Sequence, residues 1–163
     1  MNLRKAYDIV IAYGDTHIPY QNKGKEKIIL DIIKDVKPDG IIHGGDIINA
    51  ECLMEYPKSW DQLAGLQEQI DEGVAHMERV NKAAPKAWKV LLKDNHFFNR
   101  LEMKKKGQYW LNGLSAISPE HLLDLKRLGW RAEKKYKWKD RVLFVHGDFQ
   151  SMCGKSVCPA NKV

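Results

Sequence analysis

The chain has 163 residues, enough to bury one sizeable core and too few to require a second domain. Its 44% apolar and 29% charged residues exclude a disordered or low-complexity class and describe an ordinary globular protein. A formal net charge of +6 suits polyanionic partners; no apolar run approaches the roughly 20 residues that cross a bilayer, and the amino terminus lacks a signal-peptide core, so a cytoplasmic protein without membrane contact is expected.

The first predicted element is the β-branched and aromatic run Tyr7 to Tyr13, which reads as a buried strand. It stops at Gly14-Asp15-Thr16-His17. With the chain extended past Gly14, Asp15 and His17 leave on the same side and can meet one cation, although such a pair is commonly a turn former and a surface histidine. Lys25 to Val36 then sets Ile28, Ile29, Ile32, Ile33 and Val36 on one helical face, ended by Pro38-Asp39-Gly40. The second strand, Gly40-Ile41-Ile42-His43, opens through Gly44 and Gly45 onto Asp46, and strand, helix, strand make a parallel crossover. His43, three residues before Asp46, is expected to face the other side of the strand as a core or supporting residue, and Asn49 is expected to cap the next turn.

The longest helix is predicted over Ser59 to Ala83, with Ser59 and Gln62 as a capping box and Leu63, Leu66, Ile70, Val74, Met77 and Val80 as its stripe. His76 beside that stripe reads as a partly exposed structural residue. A third strand, Ala87 to Leu92, ends at Asp94-Asn95-His96, and an irregular helical stretch from Phe97 to Leu111 carries Lys104-Lys105-Lys106. Ser118 and Pro119 open a last helix, apolar through Leu122, Leu123, Leu125 and Leu128, which Gly129 closes; His121 in its first turn is expected at the surface. Trp130 to Trp138 and Arg141 to Val145 read as an antiparallel pair leading to His146-Gly147-Asp148. The basic residues alternating with Tyr136 and Trp138 suit phosphate contacts and base stacking, but a solvated hairpin with one buried face has the same pattern and is the favoured reading. Cys52, Cys153 and Cys158 read as free thiols, and Gly154-Lys155-Ser156 lacks the upstream glycine of a phosphate-binding loop.

Four predicted strands thus each deliver Asp, Asn or His at the carboxyl end, where open α/β sheets place ligands. The series Gly14-Asp15-Thr16-His17, Gly45-Asp46-Ile47-Ile48-Asn49, Asn95-His96 and Val145-His146-Gly147 resembles the calcineurin-like metallophosphoesterases, especially small stand-alone members of bacteria and phages, over nearly the whole chain. The resemblance implies an α/β fold, a four-layer α-β-β-α sandwich of two mixed sheets, with two divalent metal ions at the strand ends: Mn²⁺ first, Fe or Zn²⁺ as alternatives. It places Asp15 and His17 on one metal, Asn95 and His146 on the other, Asp46 between both, and His96 as general acid for the leaving oxygen. It also implies hydrolysis of a phosphoester substrate by water activated between the metals. A phosphodiester or nucleic acid stands ahead of phosphomonoesters and phosphoproteins.

Two motifs depart from the family. Asp94-Asn95-His96-Phe97 stands where Gly-Asn-His-Glu or Gly-Asn-His-Asp is usual, so a carboxylate that supports the histidine is missing, with Asp94 or Asp148 as its candidate substitute. The closing Gly-His-x-His is also missing, because no His follows His146 and Pro159-Ala160-Asn161-Lys162-Val163 stands in its place. The expectation is one domain over residues 1–163 without its last strand and loop, each metal short of one imidazole. A weakened relative that binds metal or a phosphorylated partner with little turnover is the second reading.

Overall fold

The computed structural model of the protein describes residues 8–54, 64–111 and 113–147. The predicted capping pair Ser59 and Gln62, together with Asp148, Cys153, Cys158 and the terminal segment, lie outside the described residues. In chain order the elements are β1 (Val10–Tyr13), α1 (Lys23–Val36), β2 (Gly40–His43), α2 (Leu66–Ala83), β3 (Trp88–Leu92), α3 (Phe98–Lys106), α4 (Pro119–Leu122), α5 (Leu125–Leu128), β4 (Trp130–Glu133), β5 (Lys135–Trp138) and β6 (Val142–Val145). The fold is mixed α/β, with a parallel sheet in the order β1-β2-β3-β4 and a separate antiparallel pair β5-β6. No helix among the described residues is long and apolar enough to cross a membrane.

Period-two alternation explains the layers. Ile41 of β2 and Leu91 of β3 join the main core with Ile33 of α1 and Ile70, Met77 and Val80 of α2, whereas Ile42, Val90 and Leu92 point the other way, against Tyr136 and Phe144 of the hairpin. Each fully buried Ile or Leu contributes about 1.5–3 kcal/mol over leaving it in water. Among the described residues, then, the parallel sheet has helices on one face and the hairpin on the other.

Four expectations change. The predicted strand Trp130 to Trp138 divides at Lys134, because its two aromatic anchors belong to opposite faces: Trp130 is buried in the main core and donates to Asn81 Oδ1, while Tyr136 stacks at 5.4 Å on Trp88. The larger sheet is consequently all parallel and not mixed. β1 is an edge strand, so Ile9 and Ala12 remain exposed where a strand covered on both faces was expected. On α1, which begins at an Asn22 cap, the buried stripe runs through Glu26, Ile29, Leu30 and Ile33, leaving Ile28 and Ile32 on the exposed flank. The helix opened by Ser118 breaks at Asp124, which adopts a left-handed φ of 50° and divides it into α4 and α5.

His76 also departs from its expected place: it is 2% exposed. Its position on α2 falls between Gly73, Met77 and Val80 on the buried face, and burial is tolerated because both ring nitrogens find partners, Tyr13 OH at 3.2 Å and Glu26 Oε1 at 2.9 Å. Arg79 joins Glu26 to Glu72, and Lys23 pairs with Glu72, so β1, α1 and α2 share one polar network whose Glu26 and His76 are buried and whose Arg79, Glu72 and Lys23 reach solvent. Burial holds the His76 imidazole below its ordinary value despite the pull of Glu26, and burial, then the charges of His76 and His146, hold His43 well below. Burial opposes the Glu26 charge, but hydrogen bonds from His76 and Arg79 outweigh it and keep its carboxyl below the usual range. All three groups therefore bind protons more readily unfolded than folded. Their stabilisation is complete above the ordinary histidine value of 6.5 and is lost as pH falls through the lower folded values, with Glu26 adding a further loss below 4.5. The urea midpoint is expected to be flat between pH 8 and 7 and to fall steadily from pH 6.5 to 4.5; a constant midpoint over that range would refute this role for the network.

Candidate metal centre

The loops after β1 and β2 are stitched side by side. Gly44 N donates to Tyr13 O, Asp15 N to Gly45 O, His17 N to Asp46 O and Ile18 N to Ile47 O, so the parallel pairing continues past the last strand residues. Gly14 permits this approach, since a Cβ there would lie 3.1 Å from Gly44 Cα. Thr16 fastens the pair from the side, its hydroxyl donating to Ile47 O and accepting from His43 Nε2.

The chain is not extended after Gly14. Asp15, His17 and Asp46 have φ of 55°, 47° and 52°, a left-handed conformation uncommon outside glycine and enriched in Asp and His. Three such residues in one cluster store strain of about 1–3 kcal/mol each, of the kind that concentrates where side chains are aimed for function. The two predicted neighbours still meet: His17 Nε2 lies 3.9 Å from Asp15 Oδ1.

Asp46 is the centre of the cluster. His17 Nε2 and His96 Nε2 lie 3.7 and 3.9 Å from its Oδ2, and His146 Nε2 lies 3.5 Å from its Oδ1. Asn95 Oδ1 stands 3.2 Å from His146 Nε2. The structure thus brings together Asp15, His17, Asp46, Asn95, His96 and His146, each delivered by the loop after β1, β2, β3 or β6. Ligand atoms of His17, Asp46 and His96 all fall within 4.8 Å of one another, so His96, expected as a general acid, also stands where a ligand would.

The opposite ring nitrogens fix the tautomers. Nδ1 of His17 faces Asn49 Oδ1 at 3.0 Å, Nδ1 of His96 faces Asn49 O at 3.2 Å, and Nδ1 of His146 faces Gly44 O at 2.8 Å. Amide oxygens only accept, so Nδ1 carries a proton in His17 and His96, and this His17 tautomer turns its Nε2 lone pair on Asp46, while His146 faces an amide oxygen at both ring nitrogens. Asp46 Oδ1 is itself buried and accepts no hydrogen bond among the described residues. Lone pairs and a carboxylate repel one another unless positive charge stands between them. Outer hydrogen bonds on Nδ1 with Nε2 left toward a shared carboxylate are the arrangement of metal-ligating histidines, and a donor set of imidazole, carboxylate and amide oxygen suits Mn²⁺, Fe or Zn²⁺. These residues fit a divalent cation.

Two residues matter more than their sequence suggested. Asn49, expected as a turn cap, orients two imidazoles: its side chain takes His17, and its carbonyl takes His96 together with Arg100 Nη1 at 2.7 Å. The buried pair Ile47-Ile48 before it, which returns the chain to the site, is the signal that could have found it. Asp94 does not substitute for the missing carboxylate beside His96. Its Oδ2 accepts from Asp46 N, and its Oδ1 from Phe97 N and Phe98 N at the start of α3. Burial raises its carboxyl above the ordinary range, while the hydrogen bonds from the Phe98 and Phe97 amides oppose that shift. Gly45 completes the frame: at φ 102° its missing Cβ would lie 2.6 Å from His146 Nδ1, so a side chain there would evict the histidine. Comparison with protein-family models, with curated proteins and with solved structures returned no match, so the chemistry of the cluster rests on its own geometry.

Proposed function

We propose that the chain is a metal-dependent phosphoesterase of the calcineurin-like metallophosphoesterase kind, its mixed α/β fold built on that family's α-β-β-α sandwich. The observation that carries this reading is the Asp46 carboxylate, buried with one oxygen unpartnered and bracketed by three imidazoles, each with its Nδ1 on an amide oxygen. Asp15 and His17 would hold one divalent cation, Asn95 and His146 the second, and Asp46 both. When bound, the cations supply charge for the phosphoryl oxygens and acidify the attacking water.

The chain's own residues do the rest. Asn49 and the Gly44 carbonyl hold the three imidazoles with Nε2 turned toward Asp46. His96, with Nδ1–H held on the Asn49 carbonyl, carries a second proton on Nε2 and passes it to the leaving oxygen as the phosphorus–oxygen bond breaks, a step worth about 10²–10⁴ in rate. The basic balance favours a phosphodiester over a phosphomonoester.

The test is metal content together with hydrolysis of an aryl phosphodiester and an aryl phosphomonoester, each with added Mn²⁺. Diester turnover that EDTA abolishes is expected, and His96→Asn is expected to lower kcat about 10²–10⁴-fold with bound metal unchanged. Loss of metal in His96→Asn would make His96 a ligand instead of the general acid. Neither metal binding nor turnover with Mn²⁺, Fe²⁺ or Zn²⁺ would overturn the proposal.

A further inference from the structure

A cleft of about 820 Å³ opens beside the cluster, lined by His146 and Asp94 and by Lys93, Lys106, Lys134 and Lys135. The carboxylates in it are spoken for: Glu120 pairs with Lys93 and Glu102 with Lys105. Lys106, Lys134 and Lys135 have no ion-pair partner among the described residues. The cleft is therefore a concave, cationic approach to the carboxylate and imidazoles.

Past Lys106 the chain turns tightly, with Gly107 N donating to Met103 O, Gln108 N to Lys105 O and Leu111 N to Gln108 O. Tyr109 and Trp110 on this turn are 84% and 67% exposed, in edge-to-face contact at 5.7 Å, with Met103 and Leu114 exposed nearby. Three residues of chain span at most about 10 Å, so Tyr109 lies within that distance of Lys106, which lines the cleft. Single exposed aromatics need no explanation, but two in mutual contact and this exposed offer a ready stacking face.

Building on the phosphoesterase reading, we infer that the cleft and the aromatic pair form a track for single-stranded nucleic acid, with Lys106, Lys134 and Lys135 on successive phosphates and a base stacked on Tyr109 or Trp110. Positive charge along a groove together with aromatic faces for stacking is the arrangement that binds single strands without sequence preference. A lipid surface is flat; it reaches Tyr109 and Trp110 but not lysines on the walls of a cleft. No groove-reading motif accompanies the charge, so binding is sequence-independent.

The test is fluorescence anisotropy of labelled oligo(dT) with the whole protein at low ionic strength in EDTA, which separates binding from hydrolysis. Affinity is expected to fall steeply with salt. Replacing Lys106, Lys134 and Lys135 together by Gln is expected to reduce the salt slope by about 2, at roughly 0.7 per phosphate contact. Tyr109→Ala with Trp110→Ala is expected to weaken binding at least fivefold and leave the slope unchanged. Both variants change exposed side chains and are expected to hydrolyse the small aryl phosphodiester like the parent. No binding to oligo(dT), or binding to vesicles of anionic phospholipid in its place, would overturn the track while leaving the phosphoesterase reading intact. Tight oligo(dT) binding without hydrolysis of any phosphoester would do the reverse.

Discussion

Asp46→Asn is expected to abolish Mn²⁺ binding and to lower phosphodiester turnover by at least about 10³-fold, while leaving the metal-free protein as stable as the parent or more so. Asparagine keeps the volume of the side chain and the backbone N–H that Asp94 accepts. What it removes is the charge that three imidazoles surround, and with it a carboxylate able to serve two cations. Losing several kcal/mol of charge stabilisation at about 1.36 kcal/mol per tenfold gives the expected rate. The unchanged or raised stability follows from the buried, unpartnered Oδ1, which costs folding energy in the absence of a counter-charge. Thermal unfolding with and without Mn²⁺ separates the two effects, because a ligand at about 100 times its Kd stabilises the parent by about 2.7 kcal/mol and a non-binding variant not at all. Retained metal and an undiminished thermal shift in Asp46→Asn would show that Asp46 is not the shared ligand.

The parts of the site that could be read from the sequence are those where a strand sets direction. Apolar runs ending at Gly14, Gly45, Asn95 and His146 marked four carboxyl ends; β1, β2 and β3 are parallel neighbours and carry three of them to one edge of a sheet, while β6 belongs to the separate antiparallel pair. That argument needs no knowledge of the loops for Asp15, His17, Asp46, Asn95 and His96, whereas His146 joins them from the hairpin, through Gly44 O and Asn95. The local geometry was another matter. Extended chain after Gly14 and left-handed residues at Asp15 and His17 both bring the two side chains together, so their spacing could not separate the two conformations.

The misreadings share a cause: the partner of each residue lies far along the chain. His76 is buried because Glu26, fifty residues earlier, supplies its hydrogen bond. Asn49 serves imidazoles from two other loops and so gives no local sign of doing more than capping a turn. The strand break at Lys134 depends on which sheet face receives Trp130 and which receives Tyr136, a tertiary choice that the alternation of residues 130–138 does not record. Periodicity reports one side of an element at a time.

Asp94→Ala is expected to cost about 3–5 kcal/mol of stability, an effect on folding first and on chemistry second. Its carboxylate accepts three backbone N–H groups: Asp46 at 2.9 Å, Phe97 at 2.8 Å and Phe98 at 3.0 Å. Phe97 and Phe98 are buried in the main core and Asp46 is nearly so, which leaves water little access to amides that lose their acceptor. Each unsatisfied buried donor costs about 1–3 kcal/mol, and for a domain of this size the sum lowers Tm by roughly 10 °C or more. Asp94→Asn keeps an oxygen for the two helix amides and gives up the Asp46 contact, so its loss is expected to be smaller. Metal affinity should follow the same order, since the Asp94 carboxylate is what holds the Asp46 peptide in its left-handed turn. Urea melts of the two variants, each followed by Mn²⁺ titration, read both quantities. Had Asp94 replaced the carboxylate that supports the family's histidine, Asp94→Ala would slow turnover with the fold unharmed; a variant as stable as the parent but slow would restore that role and remove the clamp described here.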